Sequence, residues 1–478
     1  MSGDFAIFMK KIAIIGGGIS GLSAAYFLQE NIPDTEISLF EEKPRLGGVI
    51  ETQTRHGFLL EAGPDCFLSK KPAARDLCKQ IGLSNELIPT REGFRRSFIY
   101  LKGKLQQVPA GFYLMAPGKI STLMALPHLS VLGKLRAACD LLAGPGRGLA
   151  PLEADESVAS FIRRRFGREV FERIGQPMIG GIYGGDPEKL SLRATLPQFL
   201  EMEQKYGSVI RGLRREQNEA HETASGPRYS LFLSMKEGME QMIRGLRQEL
   251  TRVKFFTACG IKSVWHQSGA WHLLAEDGRA FKADALLIAL PACAAAKLIR
   301  GFAAKLSETL DSIPYESVAT VNLVYKKKDI PETFKGLGFV APKIEKTRLS
   351  ACTYSSLKFE GRVPEDHALL RAFVGGALYR GEFLLDDQAM EEMVRGELKK
   401  ILGLDSRPLV VSIRRYPNAM PQYEVGHLEK VAAIRRQLQD TPGLFLTGNA
   451  YDGIGIPDCI EQAENQAKKI LAYAVNKS

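Results

Sequence analysis

Apolar and polar positions alternate along this chain in two distinct rhythms, and the changes between them mark out its elements. Ile12 to Ile15 is a short unbroken apolar run of the kind that forms a strand buried on both faces. Glycines follow at once, then a helix with small residues on its first turns, then a second strand from about Glu36 to Phe40, so the segment predicts one β-α-β unit. Between 255 and 291 the pattern predicts a strand, a hairpin around Gly269, a second turn at Asp277–Gly278 and a buried strand ending at Pro291. Strands resume near 318–325 and 368–375, a helix is expected near 387–402, and "GLFLTG", a glycine turn and a closing helix end the chain. Residues 50–110 mix short strands and helices. From Gly111 to about Arg215 the texture is helical and rich in Leu, Ala and Arg, broken at Pro117, Pro127 and "GPGRGLAP". The polar stretch "RREQNEAHETASGPR" (214–228) predicts a linker or loop.

These elements imply an α/β (α+β multidomain) protein whose domains are discontinuous in sequence. The expected division is a nucleotide-binding domain from 10–90, 229–292 and 430–478, a second domain from 91–110 and 293–429, and a helical domain over 111–215. A length of 478 residues and 45% apolar against 25% charged composition fit an ordinary globular protein with a large core. Ile12 to Gln29 carries no charge, yet its four glycines and two serines suit a nucleotide-binding turn better than a membrane span. The start of the chain has none of the marks of a signal peptide, so a cytoplasmic location is expected. The seven cysteines (Cys66, Cys78, Cys139, Cys259, Cys293, Cys352, Cys459) are odd in number and form no CxxC, which points to a reducing compartment. The excess of Lys and Arg over Asp and Glu, 64 − 54 = +10, reads either as solvated surface or as attraction to anionic lipid or polycarboxylate partners. No basic run interleaved with aromatics appears, so nucleic acid is not an expected partner.

Gly16-x-Gly18-x-x-Gly21 lies between strand and helix, the arrangement in which a backbone turns tightly enough to meet a pyrophosphate at a helix N-terminus. Glu41, at the end of the second strand, is placed to accept hydrogen bonds from a ribose. Glu41, Arg45, Gly47 and Gly48 then make an E-x-x-x-R-x-G-G pattern similar to that of glutathione-reductase-type flavoproteins, with Arg45 expected to add charge near phosphate. "EAGPDC" (61–66) resembles the next cofactor-contacting loop of those families. The closing Gly448 and "GIGIP" supply the distant segment that FAD, unlike NAD, requires, and the helix N-terminus near Ile456 would point N–H groups at the flavin's pyrimidine side. The residues expected at FAD are Gly16, Gly17, Gly18, Ile19, Ser20, Gly21, Glu41, Glu42, Arg45, Gly48, Val49, Gly63, Pro64, Asp65, Cys66, Ile261, Gly448, Ile454, Gly455 and Ile456. No second GxGxxG exists for NADPH, so electrons are expected to leave to dioxygen.

Three stretches, "GIYGGDPEKLSLRATLPQF" (181–199), "GLGFVAP" (336–342) and "GIGIPDCIEQA" (453–463), resemble the oxygen-dependent protoporphyrinogen oxidase family, which includes bacterial members acting on coproporphyrinogen III. The resemblance spans essentially the whole chain. It implies a Rossmann-like FAD domain of p-hydroxybenzoate-hydroxylase type, a mixed-sheet substrate domain and a helical membrane-associated domain. It also implies removal of six electrons from a porphyrinogen in three flavin cycles, with hydrogen peroxide formed from oxygen in haem biosynthesis. Gly181, Leu337, Val340 and Phe373 match substrate-cavity positions, and Arg96 is the expected partner of a propionate, because Ser97 stands where the family often has a basic or amide residue. No catalytic side chain and no metal site is expected, since flavin N5 takes the hydride. His56, His128, His221, His266, His272, His367 and His427 sit in unlike contexts and read as structural. The apolar stretch 111–144, with its sparse Lys and Arg, reads either as core helices or as a surface for peripheral contact with the cytoplasmic face of a membrane. A homodimer and a downstream chelatase complete the expected partners. An amine oxidase or carotenoid desaturase, or a non-enzymatic relative of the prenylated-GTPase dissociation inhibitors, are the alternatives; protoporphyrinogen and coproporphyrinogen are not separated by the sequence.

Overall fold

The computed structural model describes residues 11–109, 111–142, 155–222 and 231–476. At its centre Lys11–Ile15 pairs in parallel with Glu36–Phe40 on one side and Ala285–Ile288 on the other. Val253–Phe256 and Leu444–Leu446 extend the sheet to five parallel strands, drawn from the beginning, middle and end of the chain. Alternate side chains serve opposite faces. Ile12, Ile14, Ile37, Leu39 and Leu287 face the helices Ile19–Asn31, Ala73–Gln80, Glu240–Glu249 and Ile456–Asn476. Fully buried Ala24, Ala25 and Ala463 let the first and last of these helices come close together. Ala13, Ile15, Phe40, Leu286 and Ile288 face a three-stranded meander, Ile261–Gln267, Ala270–Ala275 and Ala280–Ala283.

That second face also carries Ala292–Ile299 and Ala304–Asp311, which the expected boundary at 292/293 assigns to the other domain. Ala295, Ala296, Ile299, Leu306 and Leu310 share one buried cluster with Leu286, Ile288 and Trp271. The boundary therefore moves past these two helices, because their apolar faces have no other sheet to cover.

The second layer is a seven-stranded mixed sheet in the order Val410–Pro421, Tyr315–Lys326, His367–Gly375, Ala351–Thr353, Gly338–Val340, Ser97–Leu101 and Lys104–Gln107. One face (Val321, Leu323, Tyr325, Leu370, Ala372, Val374) packs on Met390, Val394 and Leu398 of the helix Asp387–Leu402. The opposite face is divided. Val324 and Leu369 meet Phe58 and Leu60 of the hairpin Thr52–Arg55/Phe58–Glu61, while Thr320 Oγ1 and Asn322 Nδ2 donate to the carbonyls of Ala62 (2.7 Å) and Glu61 (2.9 Å). At the other end of this face Ile99 and Leu101 join the core of the helical layer, among Leu123, Phe161, Phe166 and Phe199. The large sheet thus touches the nucleotide-binding loops and the helical layer at once.

The helical layer opens with a two-stranded ribbon, Phe112–Tyr113 with Ala116–Pro117. Within the 214–228 stretch, expected as a linker, the helix Val209–Glu222 runs on through its first part. Arg, Glu and Gln there are polar but, with Ala, strong helix formers, and that propensity outweighs the loop-like composition. The rest of that stretch and "GPGRGLAP" lie outside the described residues. Among the described residues no helix is long and apolar enough to cross a membrane.

Candidate active site

Three glycine turns meet at the carboxyl ends of the parallel strands. Gly16 has φ +111°, and a Cβ there would stand 2.5 Å from the Ala289 carbonyl oxygen; one on Gly21 would stand 1.9 Å from the Gly16 oxygen. The Gly47 N–H donates to the Gly17 carbonyl at 2.7 Å, and the Cα of Gly18 lies 3.2 Å from where a Gly48 Cβ would be. Glu41 accepts from Gly17 N (2.7 Å) and Lys43 N (3.0 Å), which fixes its carboxylate beside the first turn. The helix Ile19–Asn31 has no capping side chain and no acid in its first turn, so its leading N–H groups are left to an anion. A cradle that any side chain would fill, an uncapped helix N-terminus and a fixed carboxylate together fit an adenine dinucleotide. Ile19 and Ser20 are buried in that first turn, Glu42 and Val49 are exposed, and Ile261 begins the strand beside residues 258–259, whose amides bond Lys43 and Glu41.

Arg45 turns back on its own loop. Its guanidinium donates to the carbonyls of Leu46 (2.8 Å), Ile50 (2.9 Å) and Gly48 and lies near Glu51 and Glu240. These contacts organise the loop. Gly63 seats against this loop, since a Cβ on it would be 1.7 Å from the Val49 oxygen.

Asp65 and Cys66 of the 63–66 loop join a set of charges the sequence did not reveal. Lys358 Nζ donates to Asp65 Oδ2 at 2.9 Å and to Cys66 Sγ at 3.2 Å, and Cys66 donates in turn to Asp65 Oδ1 at 3.2 Å. Arg371 lies 3.7 Å from Asp65 and donates to the Gly63 carbonyl. Burial opposes ionisation of Asp65, but Lys358 and Arg371 outweigh it and hold the carboxyl well below its usual range. Lys358, although buried, is held protonated chiefly by Asp65. Burial pushes the Cys66 thiol up to about 12. None of the three is a free acid or base.

The closing loop completes the cradle. Ala289 lies against Gly16, and the next residue, Leu290, has its carbonyl 3.8 Å from a Cβ position on Gly448, so the two ends of the chain meet there. Gly453 has φ +124°, and its missing Cβ would stand 2.5 Å from Asp458 Cγ. Asp458, in the first turn of the closing helix, accepts from Gly455 N at 3.1 Å and pairs with Lys71. The N-terminus at Ile456 is therefore partly capped, and the bare positive helix end expected there is tempered by an ion pair. Ile454 and Gly455 lie in the same turn, half-buried.

Across the large sheet Val340, Ala351, Phe373, Thr320 and Arg414 are successive register partners and so share one face. Val340 and Phe373 are half-buried and two strand spacings apart, ~10 Å. Small Ala351 lies between them as the floor of a groove with one valine and one phenylalanine wall. Gly181 closes one end, with its Cβ position 3.6 Å from Val340 Cγ1. A shallow side cleft opens at Gly181, lined also by Gly180, Gly184, Gly375 and Tyr379, and flanks the groove. At the far end of the row Arg414 binds Glu51 through Nη2 (2.6 Å) and Nε (3.1 Å), tying the groove to the cofactor loop. Leu337 precedes the strand, its N–H donating to the Arg96 carbonyl. Arg96 is not brought to the groove. The pleat gives Ser97 and Ile99 the Val340 face, and Arg96, one residue out of phase, is exposed.

The model of the flavin-containing amine oxidoreductase family matches residues 19–471. Coproporphyrinogen III oxidase of Bacillus subtilis (strain 168) is 32% identical over 470 residues, covering 97% of this chain and 98% of the relative. The protein of that name from Staphylococcus aureus is 33% identical, with coverage of 97% and 99%. Chloroplastic protoporphyrinogen oxidase of Nicotiana tabacum is 29% identical, with coverage of 96% and 85%. A crystal structure from Exiguobacterium sp. 255-15 that is 32% identical superposes with a TM-score of 0.86 over 96% of this chain and 98% of that one. Putrescine oxidase, at 16% identity and a TM-score of 0.66 over 97% and 99%, shares the fold alone.

Lys358→Met leaves Asp65 buried without its nearest counter-charge and is expected to cost about 3–5 kcal/mol at pH 7. Asp65 titrates well below its unfolded value of ~3.9, so its contribution is full above that pH and is lost progressively as pH falls from there toward the folded value, and the gap between variant and wild type should begin to narrow on acidification. Denaturant unfolding at pH 7 and pH 3.5 checks this; equal stability at pH 7 would remove the ion pair from the account.

Proposed function

The chain belongs to the flavin-containing amine oxidoreductase family, and from that premise we propose that it oxidises coproporphyrinogen III to coproporphyrin III, with FAD as cofactor and dioxygen as acceptor, in haem biosynthesis. The Bacillus subtilis and Staphylococcus aureus relatives, both of matching length, carry coproporphyrinogen III oxidase as their name, which favours that porphyrinogen over protoporphyrinogen IX, the one named for the Exiguobacterium structure. Bound in the glycine cradle, FAD supplies a two-electron hydride acceptor that dioxygen can reoxidise. Over three cycles the macrocycle loses six electrons and six hydrogens, and three dioxygen molecules become three of hydrogen peroxide.

The observation that carries this reading is the apolar groove of Val340, Ala351 and Phe373, on the sheet row whose far end is bolted to the cofactor loop by Arg414 and Glu51. A flat, weakly polar ring needs apolar walls and accurate placement more than it needs an acid or base. The ionisable side chains of the neighbouring 63–66 loop are already committed to one another, which agrees with a positioning site. Purified protein given anaerobically prepared coproporphyrinogen III should develop porphyrin fluorescence on admission of air, faster than a boiled control and faster than with protoporphyrinogen IX. Absence of enhancement with both substrates disposes of the proposal. Ala351→Leu should raise the groove floor, lowering kcat/KM at least tenfold while the flavin spectrum stays that of wild type; unchanged kcat/KM would mean that the ring binds elsewhere.

We also propose peripheral contact with the cytoplasmic face of a membrane, with the product passed on to a metal-inserting enzyme. In the 111–144 stretch Leu123, Leu126 and Ala137 are buried, but Val131 (71%), Leu132 (79%), Leu135 (56%) and Leu142 (84%) stand exposed, with Ile120 and Met124 half out of the surface. Such a ridge, on a chain of net charge +10, suits the boundary of an anionic bilayer. The double variant L132D/L135D should co-sediment several-fold less with phosphatidylglycerol vesicles than wild type does; equal, low sedimentation of both excludes the contact.

A further inference from the structure

Two of the segments that carry the family resemblance, 181–199 and 453–463, are far apart in the chain, and one tyrosine joins them, by its phenol on one side and its backbone on the other. Tyr423, just beyond the strand Val410–Pro421, donates through Oη to the Asn449 carbonyl at 2.7 Å and accepts from Gly453 N at 2.9 Å. Both partners belong to the closing glycine loop. The backbone of Tyr423 faces the other way: its carbonyl accepts from Ser191 N at 2.7 Å, Glu424 bridges to Leu190, and Val425 N donates to Lys189 O at 2.9 Å. Asp155 reinforces that side, accepting from Ser191 Oγ (2.8 Å) and Gly426 N (3.1 Å).

The ring of Tyr423 stacks on His427, with centroids 3.9 Å apart and planes 11° from parallel. His427 Nε2 lies 3.1 Å from the Tyr451 carbonyl, which can only accept, so that nitrogen carries the hydrogen. A third point of the same loop is thereby held. Gln462 and Arg435 also contact the loop, but from the nucleotide-binding domain itself.

We infer that Tyr423, backed by His427, is a positioning residue that holds the closing loop in its flavin-accepting shape and couples that shape to the seating of the 189–191 segment. The inference rests on the proposed FAD function for the identity of the ligand, while its geometry stands on the protein alone. Its functional content is specific. The loop that meets the cofactor and the segment that continues from Gly181 at the groove move together, so that disturbance of one is felt at the other.

The experiment compares wild type, Tyr423→Phe and Asp155→Asn, each as the full chain, by FAD release on dilution, by the flavin absorption spectrum and by amide hydrogen exchange of the apo-proteins. Tyr423→Phe keeps the ring and removes both hydrogen bonds. It should release FAD about tenfold faster, blunt the structure of the visible flavin band, and raise exchange at 449–455 in the apo-protein. Asp155→Asn leaves the phenol in place and loosens only the far side, so it should raise exchange at 449–455 and speed FAD release to a smaller extent. If Tyr423→Phe matches wild type in both release and exchange, the positioning role is overturned. If Tyr423→Phe does not fold, Asp155→Asn decides, and unchanged exchange at 449–455 overturns the coupling. A wild type that takes up no FAD would instead refute the function proposed above and leave the exchange results to judge the strut.

Discussion

The 2.7 Å hydrogen bond from Gly47 N to the Gly17 carbonyl is the contact around which the site is built. It brings two glycine turns backbone to backbone, with the Cα of Gly18 3.2 Å from the place a Gly48 Cβ would occupy, and so leaves a rim made of peptide groups. A rim of that kind presents N–H donors in fixed directions with no side-chain entropy to lose, which suits a pyrophosphate better than any lysine or arginine on a flexible stem. The rest of the nucleotide-binding domain maintains that approach. Glu41 is fixed by Gly17 N, Arg45 is spent on the carbonyls of its own loop, and the strand ending at Ile288 leads directly into Ala289, whose oxygen blocks any Cβ on Gly16.

The large sheet extends this rigidity to the substrate side. Because register partners share a face, the row from Val340 to Arg414 is straight in chemistry as well as in space: two apolar walls and an alanine floor, then Thr320 holding the Ala62 carbonyl, then an arginine held by Glu51. A shift of one residue in any of these strands would send the whole set to the opposite face. The close packing of Val324 and Leu369 on Phe58 and Leu60 makes such a slip costly. Groove and cradle are therefore parts of one body, and their separation is set by strand geometry rather than by loops.

What the sequence made legible was local. The β-α-β unit, both glycine patterns, the hairpin at Gly269 and the helix at 387–402 follow from periodicities that a short window contains. What it hid depends on partners far away. Lys358 and Asp65 are separated by 293 positions, and Arg371 and Gly63 by 308, so nothing near "SSLKFEGR" or "LLRAFVGG" announces a buried ion pair beneath the cofactor loop. Arg45 was legible as a residue but not in its direction, since a guanidinium close to phosphate and one turned back on carbonyls look alike in a motif. Arg96 was legible as a cation but not in its surroundings, because it stands just before the strand Ser97–Leu101 and is exposed there. Helices Ala292–Ile299 and Ala304–Asp311 fell outside the elements read from the sequence, and their composition could not say which of two sheets they would cover.

The placement of charge gives these observations a common logic. Two acids, Asp65 and Asp458, lie beside the loops that close the cradle, and each is met by a lysine from elsewhere in the chain, Lys358 and Lys71. A bare carboxylate next to a flavin would oppose the negative charge that reduction adds. Each lysine cancels that field while the carboxylate still does its structural work, ordering the 63–66 turn in one case and capping Gly455 in the other. The uncapped helix start at Ile19 shows the opposite choice, where no acid intervenes and the positive end is left open. The two acids of the closing loops are each met by a cation, Glu41 is held by backbone N–H groups instead, and peptide groups line the cradle. For a reaction whose main demand is to hold a flat ring against an acceptor, that division of labour leaves side chains to shape the walls and peptide groups to bind.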